Sequence, residues 1–458
     1  MLACRNKVEY TEYILETANG GNIMCDTMVV LGNYTEDGSV LFAKNSDRQA
    51  NEPHIMIRIP SKQHDLSSEP RLHATYIEIP QVKETYEVFL LKPSWIWGCE
   101  MGWNEYGLNI GNEAVFTREA NGKTSLTGMD MVRLALERCK TSEEAVELIA
   151  RLLADYGQGG NCGYEKPFTY HNSFLIADRE SAWVLETAGI YWVAKQVTDI
   201  YCISNCLSIE KDYDRSHPDV VKHAVEKGWC KNEQEFSFSK CYSNKLYTRF
   251  SGSMNRRKAC AEALLGAKGK VNIALMKSIL RSHHEELNGR LFRKNSLKSV
   301  CMHGGGVIGD HTTGSYIASL SDKRSTYWVT GASTPCISVF KPLWVTAEMP
   351  VFSEEEQDKA VSYWKQREKL HRLLLQGAID LDTYAAEHKQ LEKYIVDTVD
   401  AALVSDADEK QLSDMMKQLF EKENEFVANQ LSKAPGYIPK VRGGLYYRHY
   451  WKTMNNKL

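Results

Sequence analysis

Cys25-Asp26-Thr27-Met28-Val29-Val30-Leu31 and Lys44-Asn45-Ser46-Asp47-Arg48 are the two stretches whose reading decides the fold. The first is a β-branched, apolar run that starts directly on a thiol and reads as a strand. Between the two lies a polar segment from Asn33 to Val40. It carries Asp37-Gly38, a dipeptide that favours tight hairpin turns. Folding the chain back there brings Asp47 and Arg48 to the end of the paired strands where Cys25 stands, within a residue or two of register.

A thiol at a strand start, facing a carboxylate and two cations, suits a cysteine that becomes the first residue of its chain. A cysteine nucleophile needs a base. Cutting the Met24–Cys25 bond would give Cys25 a free α-amino group with a pKa near ~7.7–8.0. That group is attached to the nucleophile and titrates near neutrality, so it can take the thiol proton directly or through water. A cation at Lys44 or Arg48 would favour the thiolate further. A small apolar residue opening a buried strand would look the same, because free cysteines are among the most buried side chains. The local pattern leaves both readings open.

The stretch Cys25-Asp-Thr-Met-Val-Val, followed by Ala43-Lys-Asn-Ser-Asp-Arg48, resembles the opening of the secernin and C69 dipeptidase family of N-terminal-nucleophile hydrolases. Further matches follow in order: Trp97-Gly-Cys-Glu-Met-Gly102, Gly111-Asn-Glu-Ala-Val115, Tyr156-Gly-Gln-Gly-Gly160, His171-Asn-Ser-Phe174, Trp183-Val-Leu-Glu-Thr187, Ile203-Ser-Asn205 and Ser338-Val-Phe-Lys-Pro342. Together they run from Cys25 to Pro342, and the Lys-Asn-Ser-Asp-Arg form is similar to the secernin branch. The resemblance implies an α+β fold, a four-layer αββα sandwich.

The resemblance also implies roles. Cys25 would be the nucleophile, and Asp47 would hold its amine or thiol. Asn205 would donate to the oxyanion, where removing one donor typically costs ~10²–10³ in rate. Asn112 is the second oxyanion candidate, in looser register. Arg256 falls where a second arginine approaches the nucleophile, with the adjacent Arg257 leaving that placement open by one residue. Lys44 stands where related bile-salt hydrolases and penicillin acylases carry arginine. It keeps the charge and loses the planar fork. Lys44 and Arg48 are the candidate substrate contacts, Arg48 for a substrate carboxylate, and Trp97 is a candidate wall of the cleft beside Trp95. Each polar residue has a plainer reading as a turn or ion-pair residue.

The chain has 458 residues, a net charge of −3 and 43% hydrophobic residues, enough for a large core. Near-neutral charge argues against a nucleic-acid partner or a polybasic membrane role. The 12 cysteines lack zinc-type pairing; the nearest, Cys202 and Cys206, are spaced C-x3-C. Several sit in apolar contexts, which suggests thiols in a reducing, cytoplasmic compartment rather than a disulfide framework. His283-His284 and His303-Gly-Gly-Gly306 invite metal or phosphate readings. Neither has a second ligand cluster at useful spacing, and the glycines match no nucleotide fingerprint. The expectation is therefore no metal and no cofactor.

Residues 1–24 form a candidate propeptide. They contain no long apolar run, with Glu9, Glu12 and Glu16 breaking them up, so they read as neither secretory signal nor membrane span. Asn19-Gly-Gly-Asn22 would leave the Met24–Cys25 bond accessible. Residues 25–350 form the hydrolase domain, with strand-like runs such as Ser39–Lys44, Glu87–Leu91, Ser173–Ala177, Ala182–Glu186 and Ser315–Leu320. Helical patterns interleave: Met129–Cys139, a second helix opened by a Thr141/Glu144 capping box and closed at Gly157, then Asn255–Leu265 and Asn272–Ser282. Clusters of strands separated by helices favour stacked antiparallel sheets. Residues 351–458 form a helical extension, with helices from Ser353 to about Gln376, Asp380–Leu403 and Asp406–Ser432, amphipathic enough to pack on the sandwich or on a second subunit.

The expected activity is that of a cysteine dipeptidase or amidohydrolase with an autocatalytically exposed Cys25, acting on a small peptide or amide. Two alternatives stay open: a hydrolase of a non-peptide N-acyl amide, and a non-enzymatic, secernin-like interaction protein of regulated secretion.

Overall fold

The computed structural model describes residues 24–122, 124–306, 310–434 and 440–458. Strand β1 (Met24–Val30) turns back through a loop at Asp37-Gly38 into β2 (Val40–Gln49). Gly38 has φ +81°, a left-handed conformation that glycine adopts without steric cost. The antiparallel register pairs Cys25 with Ser46 and Met24 with Asp47, so the hairpin lies within the expected register.

Eleven further strands complete two large antiparallel sheets. They are β3 (His54–Ile59), β4 (Val88–Pro93), β5 (Met101–Asn104), β6 (Asn109–Val115), β7 (His171–Ala177), β8 (Ala182–Ala188), β9 (Tyr191–Gln196), β10 (Ile200–Ser204), β11 (Asp310–Leu320), β12 (Thr326–Val329) and β13 (Lys341–Leu343). The six-stranded sheet has the order β10-β1-β2-β11-β12-β13. The nine-stranded sheet runs β9-β8-β7-β6-β5-β4-β3, with Arg215–Ser216 beside β9 and Phe352–Ser353 pairing in parallel with β3.

Apolar side chains of both sheets meet in one core, where Met28, Phe42, Phe89, Trp103, Leu175 and Val184 are buried together. Every residue of β1, β6, β7 and β8 is buried. Strands covered on both faces lose the strict in–out alternation, and here they bury polar groups too, among them Asp26, Asn112 and Glu113.

Helices cover the outer faces. On the nine-stranded sheet lie α1 (Gly128–Arg138) and α2 (Ser142–Tyr156), whose apolar stripes pack on β4, β6, β7 and β8. The Thr141/Glu144 capping box opens α2 and Gly157 closes it, as read from the sequence. On the six-stranded sheet lie α3 (Ser253–Leu265) and α4 (Ile273–Leu280). The result is the expected α+β, four-layer αββα sandwich.

Beyond Pro350 come α5 (Gln357–Gln376), α6 (Leu381–Val404), α7 (Glu409–Ser432) and α8 (Leu445–Asn455). Helix α5 packs on β3, and α7 packs on α5 and β13. The Ser353/Glu356 capping box exists, but it opens a single 3-10 turn ahead of α5. No described helix is long and apolar enough to cross a membrane.

Candidate active site

Strand alternation sorts the hairpin's side chains onto two faces. Cys25, Thr27, Lys44, Ser46 and Arg48 point toward the nine-stranded sheet. Met24, Asp26, Asn45 and Asp47 point toward α3 and α4.

On the first face, the Cys25 thiol donates toward Glu100 Oε2 (3.8 Å) and Ser46 Oγ (3.9 Å), and accepts from the Asp47 backbone N–H (3.4 Å). The Lys44 ammonium lies 3.4 Å from Glu113 Oε1 and 4.0 Å from Glu100 Oε2. It reaches them across Gly111 of β6, where a Cβ would stand 2.6 Å from Lys44 Cδ; only glycine lets the lysine pass. Burial disfavours charge on Lys44, yet Cys25, Glu113 and Glu100 outweigh it and hold the ammonium protonated. Burial pushes the Cys25 thiol well above its usual pKa, against the opposing pull of Lys44. Burial likewise lifts Glu113 to about 8 despite Lys44.

Around the thiol, Ile96, Ala114, Phe116, Met129, Cys162 and Tyr170 form a buried apolar cluster, with Trp95, Phe168 and Tyr247 packed against it. Trp97 is not among them. Its ring carries the Arg133 guanidinium at 4.1 Å and packs with the α1 face of the nine-stranded sheet. Trp95, two residues earlier, packs against the cluster instead, and its Nε1 donates to Glu52 Oε1 at 2.8 Å.

Arg48 is also placed differently from its expected role. Its guanidinium donates to both Glu52 oxygens (3.1 and 2.6 Å), to Glu100 Oε1 (2.8 Å) and to the Cys162 carbonyl (2.8 Å). A fork filled by two carboxylates positions Glu100 beside the thiol and leaves no pair of donors for a substrate carboxylate.

On the second face, Arg256 is fully buried, and Arg257 instead donates to the Cys202 carbonyl. Arg256 donates to Asp26 Oδ2 (2.8 Å), the Ser251 and Leu297 carbonyls (both 2.8 Å), Ser204 Oγ (3.0 Å) and Asn205 Oδ1 (2.6 Å). All five N–H groups of the guanidinium are thereby used. Arg256 is a positioning residue rather than a substrate contact.

Asn205, just after β10, accepts from the Cys25 backbone N–H (2.9 Å) through the same Oδ1, and its Nδ2 donates to the Ala114 carbonyl (2.9 Å). The amide therefore turns its oxygen to the Cys25 nitrogen, the reverse of the orientation expected of an oxyanion donor. Asn112 Nδ2 donates to Asn172 Oδ1 at 3.0 Å; the opposite amide orientation turns it to the Glu100 carbonyl and Oε2 at 3.0 and 3.3 Å.

The Asp47 side chain lies on the face away from the thiol, so it does not hold the sulfur; its backbone N–H does. One carboxyl oxygen accepts from Thr312 Oγ1 (2.5 Å), and the other has no partner among the described residues. Burial, with Asp26 nearby, raises Asp47 to about 8. A bulge at Thr313, between the Thr312–Asp47 and Gly314–Ser46 pairs, shapes this end of the sheet.

Met24 is the first described residue, and the rest of the candidate propeptide lies outside the described residues. Met24 is fully buried within β1, and its sulfur lies 3.5 Å from Arg256 Nη1. The Met24–Cys25 bond is thus enclosed, contrary to the accessibility expected from Asn19-Gly-Gly-Asn22. The reason is that pairing with β2 begins one residue ahead of the thiol.

Sequence reading passed over Glu100 and Glu113, although both stand inside quoted motifs, at Trp97–Gly102 and Gly111–Val115. Their weight comes from lying across the sandwich from Lys44. It also dismissed the histidines at 283 and 303. The fold brings these together with Cys301 and Cys336, a convergence that sequence spacing conceals because the ligand atoms come from three separate segments.

Comparison with known proteins adds a family. Residues 24–251 match the model of Peptidase family C69. A probable dipeptidase B of Streptococcus pyogenes serotype M1 is 25% identical over 198 residues, 38% of this chain and 35% of that protein, so the chain spans about a third of the curated relative it matches. Among solved structures, a mutant conjugated bile acid hydrolase from Clostridium perfringens aligns at 11% identity, 70% of this chain and 92% of its own, with a TM-score of 0.40. Penicillin V acylase from Agrobacterium tumefaciens aligns at 12% identity, 71% and 87%, also with a TM-score of 0.40. Over residues 24–251, the segment that carries Cys25, Lys44, Asp47, Glu100 and Asn205, the chain belongs to peptidase family C69.

Proposed function

We propose that this protein is a cysteine peptidase of short peptides that exposes Cys25 as its own N-terminal nucleophile. The observation that carries the reading is the hydrogen bond from the Cys25 nitrogen to Asn205 Oδ1. The atom that would become the catalytic amine already has a fixed acceptor, itself locked by Arg256.

Maturation comes first. The Cys25 sulfur attacks the Met24 carbonyl carbon, the C–N bond breaks, and the Cys25 nitrogen leaves as an amine that takes the thiol proton. Water then hydrolyses the thioester, freeing the Met24 carboxylate and restoring the thiol. An enclosed bond favours cutting from within over an outside protease. Losing Met24 clears the position opposite Asp47, whose unpartnered carboxyl oxygen then has the new ammonium to meet. In turnover the amine takes the thiol proton, sulfur attacks the scissile carbonyl, and the amine passes the proton to the leaving nitrogen. Lys44 supplies positive charge beside the developing anion.

The family match and the relative's name support a dipeptide as substrate. The apolar cluster around the thiol supports a second reading, an N-acyl amide with an apolar acyl group. Intact mass and N-terminal sequencing of wild type and Cys25→Ala test the scheme. Wild type should begin at Cys25, and Cys25→Ala should keep the preceding residues and lose activity by about 10⁴-fold or more. Fully active wild type that begins before Cys25 would sink it. Parallel assays on dipeptides and acyl amides decide the substrate class.

A further inference from the structure

Four side chains converge far from the thiol in sequence. His283 follows α4, Cys301 and His303 lie on the extended segment before β11, and Cys336 sits in the connection between β12 and β13. One ligand atom from each lies within 4.8 Å of all the others. His303 Nε2 is 3.1 Å from His283 Nε2, 3.5 Å from Cys301 Sγ and 3.4 Å from Cys336 Sγ. One ring nitrogen offers a single proton or a single lone pair, so hydrogen bonding accounts for only one of these three contacts.

A metal ion accounts for all of them. Zinc at about 2.0–2.1 Å from nitrogen and about 2.3 Å from sulfur in a tetrahedron sets edges of about 3.3 Å for N···N and about 3.5 Å for N···S. The observed separations lie on those edges. We propose that His283, Cys301, His303 and Cys336 form a Cys₂His₂ site for a structural Zn²⁺. Two thiolates and one divalent ion sum to zero charge, which suits a place where Cys301 and His303 are buried. Cys336 and His283 are only half-buried and give the ion a way in. The donor set fills all four positions of a tetrahedron, so the ion holds structure and binds no substrate.

The surrounding bonds say what it holds. The Cys301 N–H donates to the Ser282 carbonyl (3.0 Å), and Arg281 Nε donates to the Pro335 carbonyl (2.8 Å), so the three ligand segments are already stitched at their bases. Between the two ligands of the central segment, the Met302 N–H donates to Thr312 Oγ1 (2.9 Å), which donates to Asp47 Oδ1. The site therefore braces the support of Asp47 through one residue. The neighbouring trio His311, Glu368 and His371 differs, because Glu368 already has a cation in Arg372.

The test is metal analysis of the full-length, reduced protein purified without chelator, followed by cobalt substitution. About one equivalent of zinc per chain should survive gel filtration and be lost in a Cys301→Ser/Cys336→Ser double variant. Cobalt added to chelator-stripped wild type should give tetrahedral d–d bands with thiolate charge-transfer bands. The cobalt spectrum needs no variant, so it decides the matter even if the double variant misfolds. Metal-free wild type that takes up no cobalt, a Cys301–Cys336 disulfide in its place, or cobalt bands without thiolate character would each overturn the assignment.

Discussion

The two faces of the β1–β2 hairpin divide the work of the candidate site. Toward the nine-stranded sheet, Cys25 shares a closed space with Lys44, Glu100 and Glu113, a mixed set of charges whose balance is close enough to be tipped. Toward the helices, Arg256 ties Asp26 and Asn205 together by hydrogen bonds, and Asn205 holds the Cys25 backbone rather than its sulfur. One face gathers the thiol with charged groups and the other fixes the backbone, and a single residue step along the strand crosses between them.

The position face can be broken most severely at Arg256. Arg256→Ala leaves Asp26 buried without its cation and frees Asn205, so unfolding should become easier by about 3–5 kcal/mol. Chemical denaturation measures it. A loss within about 0.5 kcal/mol, the range of ordinary surface substitutions, would mean that the locked network carries little.

The reactive face is probed at Lys44. Its charge is the counterweight that lowers the Cys25 thiol, so Lys44→Met should shift the pH profile of thiol alkylation upward and reduce kcat/KM by about 10²-fold. Alkylation profiles that superimpose would remove Lys44 from the thiol's electrostatics.

The smallest effect is expected at Asp47, and it has a definite sign. Burial raises its carboxyl from 3.8 to about 8, so the folded state holds a proton that the unfolded chain releases. Its contribution to stability is full at acid pH and is lost as pH rises through about 8. In a Cys25→Ala background, which keeps Met24 in place, Asp47→Asn should flatten this fall. Its Tm should exceed that of its parent by a few degrees above the titration and match it well below. Parallel Tm–pH curves would show that Asp47 does not titrate there.

Much of this was legible because it is local. The Asp37-Gly38 turn, the run from Cys25 and the order of the helices with their capping boxes are written in short stretches, and their placement follows. The parity of Asp47 was not. A register known within a residue or two leaves open which face a side chain takes, and one step separates the thiol face from the helix face. Arg48 had a visible partner in Glu52, four residues on, but the second carboxylate that fills its fork comes from Glu100, on the opposite sheet. Trp95 and Trp97 part in the same way: Trp95 packs by the thiol and Trp97, two residues on, packs on the α1 side. The His283, Cys301, His303 and Cys336 cluster lacks any spacing signature because its three segments meet only in the fold, where α4 packs on the six-stranded sheet and hydrogen bonds join the segments.

The position of β2 sets a clock on this chemistry. Its neighbour on one side is β1, made at once, but on the other it is β11, which begins at Asp310. A growing chain on the ribosome thus carries its thiol early and gains Asn205 and Arg256 later, and the Thr312 that holds Asp47 is added only 287 residues after Cys25 (312 − 25). Contacts so distant in sequence form late, after the local ones. For the nucleophile proposed above, this order means that the contacts which position Cys25 are complete only after Thr312 has been made, long after the thiol itself.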